Sequence, residues 1–224
     1  MPETGSAAKQ KKVKTLPENM NRGLRRVVRV LVNGFMHIAF RMKYVDKDKL
    51  LTDQAVLMIS NHASIFDVPS IHVNFKPWVY FVAKEELYSS RFGNAFLRWW
   101  GAVPINRERT SLSTAREILG RLQDGKIVSI FPEGTRVPNG ADKRDYLPKV
   151  GVLHFAKRSK AMIQPVGIQG NYKFRGKVTV TVGDAFTYAD LTKGPNGERS
   201  EEEMLIELMR RVYALNGVDY LAGE

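Results

Sequence analysis

Along this chain, short β-branched apolar runs alternate with stretches whose apolar positions recur every three or four residues. Residues 55–60 (Ala-Val-Leu-Met-Ile-Ser) read as a buried strand, as do 79–83, 102–105, 127–130 and 162–168, while 177–183 alternates, with Val178, Val180 and Val182 on one face. Between them, helical spacing appears over 85–100, 112–122 and 150–158, and a further helix is expected to carry Asp67. Ser200 followed by Glu201, Glu202 and Glu203 is a helix start, with a capping hydroxyl and first-turn acids, and that helix should run to about Leu215. The Gly-Pro-Asn-Gly stretch within 193–199 is a surface loop. Strands alternating with helices predict an α/β fold, a mixed or mostly parallel sheet flanked by helices, with ligands held where strands end.

Upstream of the strands, the pattern changes. On a helical wheel Arg22, Arg25, Arg26 and Arg29 share one narrow face, and Leu24, Val27, Val28, Leu31, Phe35 and Ile38 lie opposite, so residues 21–44 predict an N-terminal basic amphipathic helix. Such a helix could pack against the body of the protein, lie in a membrane interface, or represent the front of a signal peptide. The signal-peptide reading is the weakest, because the apolar stretch contains Asn33 and His37, lacks an Ala-x-Ala-type cleavage site and runs into Arg41 and Lys43. It is also too short to span a bilayer. The interface reading is favoured, with arginines on anionic headgroups and the apolar face in the acyl boundary. Residues 1–20, with Lys9, Lys11, Lys12 and Lys14, read as a disordered basic tail, and 45–224 as one catalytic domain.

Charge reinforces this division. Residues 1–49 hold twelve basic and four acidic side chains, a net +8 of the chain's +12. A pI near 9.9 is also the footprint of a nucleic-acid-binding module. That alternative lacks a zinc finger, an aromatic ribonucleoprotein motif or a clear helix-turn-helix, so no nucleic-acid partner is expected. No cysteine occurs, in keeping with a reducing compartment.

The chemistry concentrates in two motifs placed just beyond apolar strands. The first is Asn61-His62-Ala63-Ser64-Ile65-Phe66-Asp67. A separation of five leaves His62 and Asp67 about 140° apart on a continuous helix, so the pair meets naturally only if His62 sits on a loop and Asp67 in the first turn of the next helix. With Nδ1–H given to Asp67, Nε2 could take a proton from a hydroxyl, which is the orienting logic of a serine-protease triad whose nucleophile belongs to the substrate. His37, His72 and His154 read as packed or exposed residues without chemistry. The second motif, Phe131-Pro132-Glu133-Gly134-Thr135-Arg136, follows the strand 127–130. Its carboxylate and guanidinium could pair with each other, or Arg136 could bind a phosphate.

Together these motifs resemble those of the lysophospholipid and glycerol-phosphate acyltransferases, Asn-His-(four residues)-Asp and Phe-Pro-Glu-Gly-Thr-Arg. Between them the resemblance runs through Val82-Ala83-Lys84-Glu85-Glu86-Leu87, Arg91-Phe92-Gly93 and Gly101-Ala102-Val103-Pro104-Ile105-Asn106-Arg107, with Asn106 where the family usually has aspartate. It continues through Leu147-Pro148-Lys149-Val150-Gly151 and Ile163-Gln164-Pro165-Val166-Gly167-Ile168, covering roughly residues 50 to 170. The resemblance is closest to the 1-acyl-glycerol-3-phosphate acyltransferases. It implies His62 as general base, Asp67 as its partner, and Lys84, Arg107 and Arg136 as grips for the acceptor's phosphate, with Glu133, Gly134 and Thr135 shaping that site.

The reaction so implied is direct transfer from a fatty acyl thioester to lysophosphatidic acid, with glycerol 3-phosphate, another lysophospholipid or a glycolipid as rival acceptors. It agrees with the absence of a nucleophilic cysteine and of a Gly-x-Ser-x-Gly elbow. The donor is acyl-coenzyme A or acyl carrier protein, and no further cofactor is expected. No metal site is predicted, because there is no Cys, no His-Glu-x-x-His and no cluster of carboxylates at ligand spacing. The expected location is peripheral, on the cytoplasmic face of a membrane. Trp99 and Trp100 adjoin on one helix, so at least one should pack in the core.

Overall fold

The computed structural model describes residues 22–106, 111–195 and 197–221; the predicted tail 1–20 lies outside them. Seven strands form one sheet: β1 (Arg41–Val45), β2 (Val56–Ser60), β3 (Val79–Lys84), β4 (Ala102–Ile105), β5 (Ile127–Ile130), β6 (Met162–Gly170) and β7 (Lys177–Val182), in the order β1-β7-β6-β2-β5-β3-β4. The pairs β2–β5, β2–β6, β3–β5 and β3–β4 are parallel, while β6–β7 is antiparallel. Five strands therefore end on the same sheet edge, and β7 and β1 begin there. β2 sits at the centre and is buried throughout, which is why its sequence is a continuous apolar run rather than an alternating one.

Helices cover both faces. On one side α1 (Arg22–Ala39), α2 (Asp67–His72) and α3 (Arg91–Trp100) pack over Val56, Met58, Phe81 and Val180 through Met36, Ile71 and Trp100. On the other, α4 (Leu112–Gln123), α5 (Gly151–Ser159), α6 (Tyr188–Thr192) and α7 (Glu201–Ala214) close over Leu57, Ile59 and Val128 through Ile118, Leu153, Leu191 and Leu208. α7 starts as its sequence predicts: Ser200 caps the Glu203 amide and the Glu203 carboxylate returns to the Ser200 amide.

Several expected boundaries shift. The helix predicted over 21–44 stops at Ala39, and Arg41–Val45 instead forms edge strand β1, paired in register with Lys177–Thr181. Alternating Met42 and Tyr44 turn inward there, a period of two hidden behind the helix's longer apolar pattern. The helix predicted over 85–100 is broken: a short 3-10 turn spans Glu85–Tyr88, and Ser90 then caps α3 by accepting from the Gly93 amide. The loop 193–199 contains a two-residue strand pair, Lys193–Gly194 with Gly197–Glu198. α6 has no counterpart in the predicted elements. Trp100 is buried and Trp99 partly so, as the adjacent-tryptophan argument requires.

α1 is amphipathic in the sense opposite to an ordinary surface helix. Two of its arginines are turned to the protein, while Arg26 stays exposed: Arg29 donates from Nε to the Val73 carbonyl at 3.0 Å and from Nη1 to the Lys76 carbonyl at 3.1 Å, and Arg25 lies 4.8 Å over the Trp78 ring. Leu24, Val27, Val30, Leu31, Phe35 and Ile38 form an exposed apolar stripe on the other side. Arg25 and Arg29 are therefore occupied by carbonyls and an indole, and the expectation that they serve lipid headgroups is corrected. No helix among the described residues is long and apolar enough to cross a membrane.

Candidate active site

The loop leaving β2 carries His62, and the chain re-enters helix at Asp67, the first residue of α2. His62 Nδ1 faces Asp67 Oδ2 at 2.9 Å, so the five-residue spacing is closed by a loop-to-helix turn. The same Oδ2 accepts the Ala63 and Ser64 amides, each at 2.7 Å, while Oδ1 accepts the Tyr172 hydroxyl at 2.8 Å. Asp67 is fully buried and held by four donors. A ring nitrogen facing a carboxylate carries the proton, which leaves the Nε2 lone pair unused. The imidazole is stacked on Phe131 with ring centroids 4.3 Å apart and planes 23° apart, so its rotation is blocked on one face.

Asn61 fixes the register of this loop. Its Nδ2 donates to the Ile168 carbonyl and its Oδ1 accepts the Ile168 amide, both at 2.8 Å, which ties the end of β2 to β6 as a backbone pair would. Asn216, beyond α7, adds a donor to the same Asn61 oxygen at 3.3 Å.

Glu133 is tied to the main chain of the first motif. It is buried, its Oε2 accepting the His62 amide at 2.8 Å and its Oε1 accepting the Tyr213 hydroxyl at 2.5 Å. Burial pushes its carboxyl up to about 7 against the lowering effect of those two donors. This side chain faces the His62 backbone and the Tyr213 hydroxyl, and it does not pair with Arg136. Gly134 has φ +67, a left-handed turn open to glycine at little cost. That turn delivers Thr135 and Arg136 to the surface, where neither side chain has a hydrogen-bond or ion-pair partner among the described residues. The chain then returns, with the Val137 amide donating to the His62 carbonyl at 2.7 Å. Both motifs are thus stitched together by main-chain atoms.

Lys84 ends β3 on the same edge, exposed and paired with Glu86 at 2.8 Å. Two strand spacings separate the ends of β2 and β3, roughly 10 Å. Arg107 lies outside the described residues; Asn106, just before it, is exposed beyond β4, the next strand along. The edge therefore presents His62, then the Gly134 turn, then Lys84, then the approach to Arg107. The remaining histidines sit elsewhere. His72 is buried between Trp78 and Trp100, donating from Nδ1 to the Val79 carbonyl at 2.8 Å, and burial pushes it down to about 3. His37 and His154 are exposed. No group of three or more His, Cys, Asp or Glu among the described residues is placed to hold a metal ion.

Tyr172, Tyr213 and Asn216 carry no local sequence signal. Tyr172 lies in the turn after β6, 105 residues from Asp67, and Tyr213 occupies the apolar stripe of α7, where it reads as an ordinary core residue.

Comparison with known proteins agrees with this geometry. The family model described as Acyltransferase matches residues 41–169, more than half of the chain. The 1-acyl-sn-glycerol-3-phosphate acyltransferase of Bacillus subtilis is 29% identical over 164 residues, 70% of this chain and 80% of that protein. The enzyme of the same name from Streptococcus pneumoniae is 27% identical over 72% of this chain and 60% of its own length. The crystal structure of the 1-acyl-sn-glycerophosphate (LPA) acyltransferase PlsC from Thermotoga maritima superposes with a TM-score of 0.61 at 23% identity, covering 86% of this chain and 80% of that one, and so shares the fold. With the matched region running from β1 to the end of β6, across both motifs, the chain belongs to the acyltransferase family.

Proposed function

We propose that the protein transfers a fatty acyl group from an acyl thioester to the free hydroxyl of 1-acyl-glycerol-3-phosphate, forming phosphatidic acid. The observation that carries this reading is the oriented His62–Asp67 pair, with Nε2 turned from the carboxylate at the edge where Arg136 stands exposed, without a partner among the described residues. The names of the bacterial relatives supply the substrate class.

In the proposed step the acceptor hydroxyl gives its proton to His62 Nε2 as its oxygen attacks the thioester carbonyl. A carbon–oxygen bond forms, the carbon–sulfur bond breaks, and the departing thiolate takes the proton from the imidazolium. Asp67 stabilises the charge on the ring while that proton is in transit. Arg136 offers the acceptor phosphate a bidentate contact, and Lys84, which can exchange its exposed partner Glu86 for a phosphate at little cost, offers a second. Arg107 is the third candidate. Gly134 and Thr135 shape the acceptor's surroundings, and Glu133 acts through the His62 backbone. The donor is acyl-coenzyme A or acyl carrier protein.

The lipid acceptor explains why α1 turns an apolar stripe outward. In this reading α1 lies in the interface of the cytoplasmic leaflet, its stripe in the acyl boundary, and the protein is peripheral.

Thiol release from palmitoyl-coenzyme A, with and without lysophosphatidic acid, tests the proposal when wild type is compared with His62→Ala. Release that needs the acceptor and vanishes in the variant supports acyl transfer by this base. Full activity in His62→Ala refutes the mechanism, and release without acceptor makes the protein a thioesterase.

A further inference from the structure

The connection between β6 and β7, Asn171–Gly176, is a tight turn that raises one large apolar side chain clear of the protein. Phe174 is 80% exposed, second only to Phe92 among the large hydrophobic side chains of the described residues. The turn beneath it is closely tied. The Gly176 amide donates to the Lys173 carbonyl at 2.7 Å, the Asn171 amide to the Lys177 carbonyl at 3.2 Å, and the Arg175 amide to the Ala39 carbonyl at 2.6 Å. A Cβ on Gly176 would stand 2.2 Å from the Asn171 carbonyl oxygen, so the turn is too close for any other residue. Two residues before Phe174, Tyr172 is clamped by Phe40 and Phe66, with ring centroids at 5.1 and 5.6 Å. An aromatic ring held out on a rigid turn has the ordering cost of its backbone already met by neighbours that bury little of the ring itself.

Its surroundings are cationic. Lys173 and Arg175 flank it, and Lys177, Arg41 and Lys43 follow at the paired ends of β7 and β1; all five are exposed. None of them has an acidic ion-pair partner among the described residues. The turn also lies where the chemistry is. β6 ends on the same edge as β2, and the turn is bonded to the carbonyl of Ala39, one residue beyond Ile38, the last member of the exposed stripe of α1.

We propose that the Phe174 turn is a second insertion point into an anionic bilayer surface, with Phe174 entering the acyl boundary and Lys173, Arg175, Lys177 and Arg41 resting on phosphate-bearing headgroups. The inference rests on the reading that the protein works at a membrane and adds what α1 alone does not supply. A single helix lying in the interface leaves the body free to rock about the helix axis. A second contact off that axis removes the freedom, and because Tyr172 bonds Asp67, the contact is made within a few residues of the dyad and brings its sheet edge to the lipid. The occupant is a lipid surface and not a protein because a lone ring within a cationic collar offers no groove or apolar area for a partner to cover.

The chain has no cysteine, so a single introduced thiol labels uniquely. Full-length Phe174→Cys carrying an environment-sensitive nitrobenzoxadiazole dye is mixed with vesicles of phosphatidylcholine and 30% phosphatidylglycerol, a composition chosen at about one anionic lipid in three. Leu31→Cys on α1 and Glu202→Cys on α7 are labelled in the same way. Blue-shifted, brightened emission at 174 with none at 202 supports the proposal. A response at 31 without one at 174 overturns it while leaving the α1 reading intact, and silence at both sites overturns the two together. An equal response on phosphatidylcholine alone overturns the anionic choice of surface. Unlabelled Phe174→Ser is expected to weaken vesicle partitioning about tenfold or more, and Lys173→Glu with Arg175→Glu at least about fivefold per site. Activity of Phe174→Ser on detergent-dispersed acceptor should stay at the wild-type level; its loss there would show a folding defect and overturn the assignment.

Discussion

Glu133 holds His62 by its backbone: one carboxylate oxygen accepts the His62 amide at 2.8 Å and the other accepts the Tyr213 hydroxyl. The two motifs are thus joined through the backbone behind the imidazole. Glu133→Ala orphans two buried donors and should cost about 2–4 kcal/mol of stability, with kcat falling as the loop loosens. Glu133→Gln keeps a carbonyl for the His62 amide and can reverse the bond to Tyr213, whose hydroxyl then accepts. Urea denaturation together with kcat should place the glutamine variant near wild type; if it matches alanine, the charge matters and not the hydrogen bonds.

Tyr172 steadies Asp67 from the side away from His62. Its replacement by phenylalanine removes one hydrogen bond to a buried carboxylate and leaves the ring packing against Phe40 and Phe66. About 1–2 kcal/mol is at stake, so kcat should fall roughly tenfold with the acceptor KM unchanged. A change in KM alone would show that Tyr172 contacts substrate.

Arg136 is exposed and lacks an ion-pair partner among the described residues, so removing it should leave the thermal midpoint unaltered. Arg136→Ala is expected to raise the KM for lysophosphatidic acid by about tenfold or more, and Arg136→Lys to recover part of the loss, since an ammonium supplies charge without the bidentate fork. Unchanged steady-state constants would remove Arg136 from the acceptor site.

His72 gives the stability curve an acid limb. Its folded imidazole titrates near 3 because burial opposes charge, whereas the unfolded group titrates near 6.5. Between those values the unfolded chain binds a proton that the folded one refuses, so stability is complete above 6.5 and falls with decreasing pH by up to about 1.4 kcal/mol per unit. Glu133 acts oppositely: its folded carboxyl is raised from 4.5 to about 7, so its ionisation lowers stability as pH rises through that window. Denaturation of wild type and His72→Gln between pH 7 and pH 4, a range set by the roughly 6.5 reference value, should show the slope in wild type and its loss in the variant, so that the wild-type advantage shrinks as pH falls. A constant difference would mean that folded His72 takes up its proton as readily as the unfolded chain does.

The sequence alone was enough for the strands, whose β-branched runs 56–60, 127–130 and 162–168 have one physical interpretation, and for the capped start of α7. It was also enough for the meeting of His62 and Asp67, since a five-residue spacing after a buried strand calls for the loop-to-helix turn that brings the two within 2.9 Å. Tertiary structure decided the rest. Edge strand β1 takes its partner from Lys177–Thr181, more than 130 residues away, and no local period announces such a pairing. The wheel separated the two sides of α1, yet only packing against Val73, Lys76 and Trp78 determined that Arg25 and Arg29 turn inward and the stripe through Leu24, Val27, Leu31, Phe35 and Ile38 outward. In the sequence Glu133 reads as a partner for Arg136 or as part of the acceptor's surroundings, until the fold places the His62 amide against it. Periodicity and propensity act between neighbours a few residues apart, whereas Tyr172, Tyr213 and Asn216 reach the site by contacts that exist only once the sheet has closed.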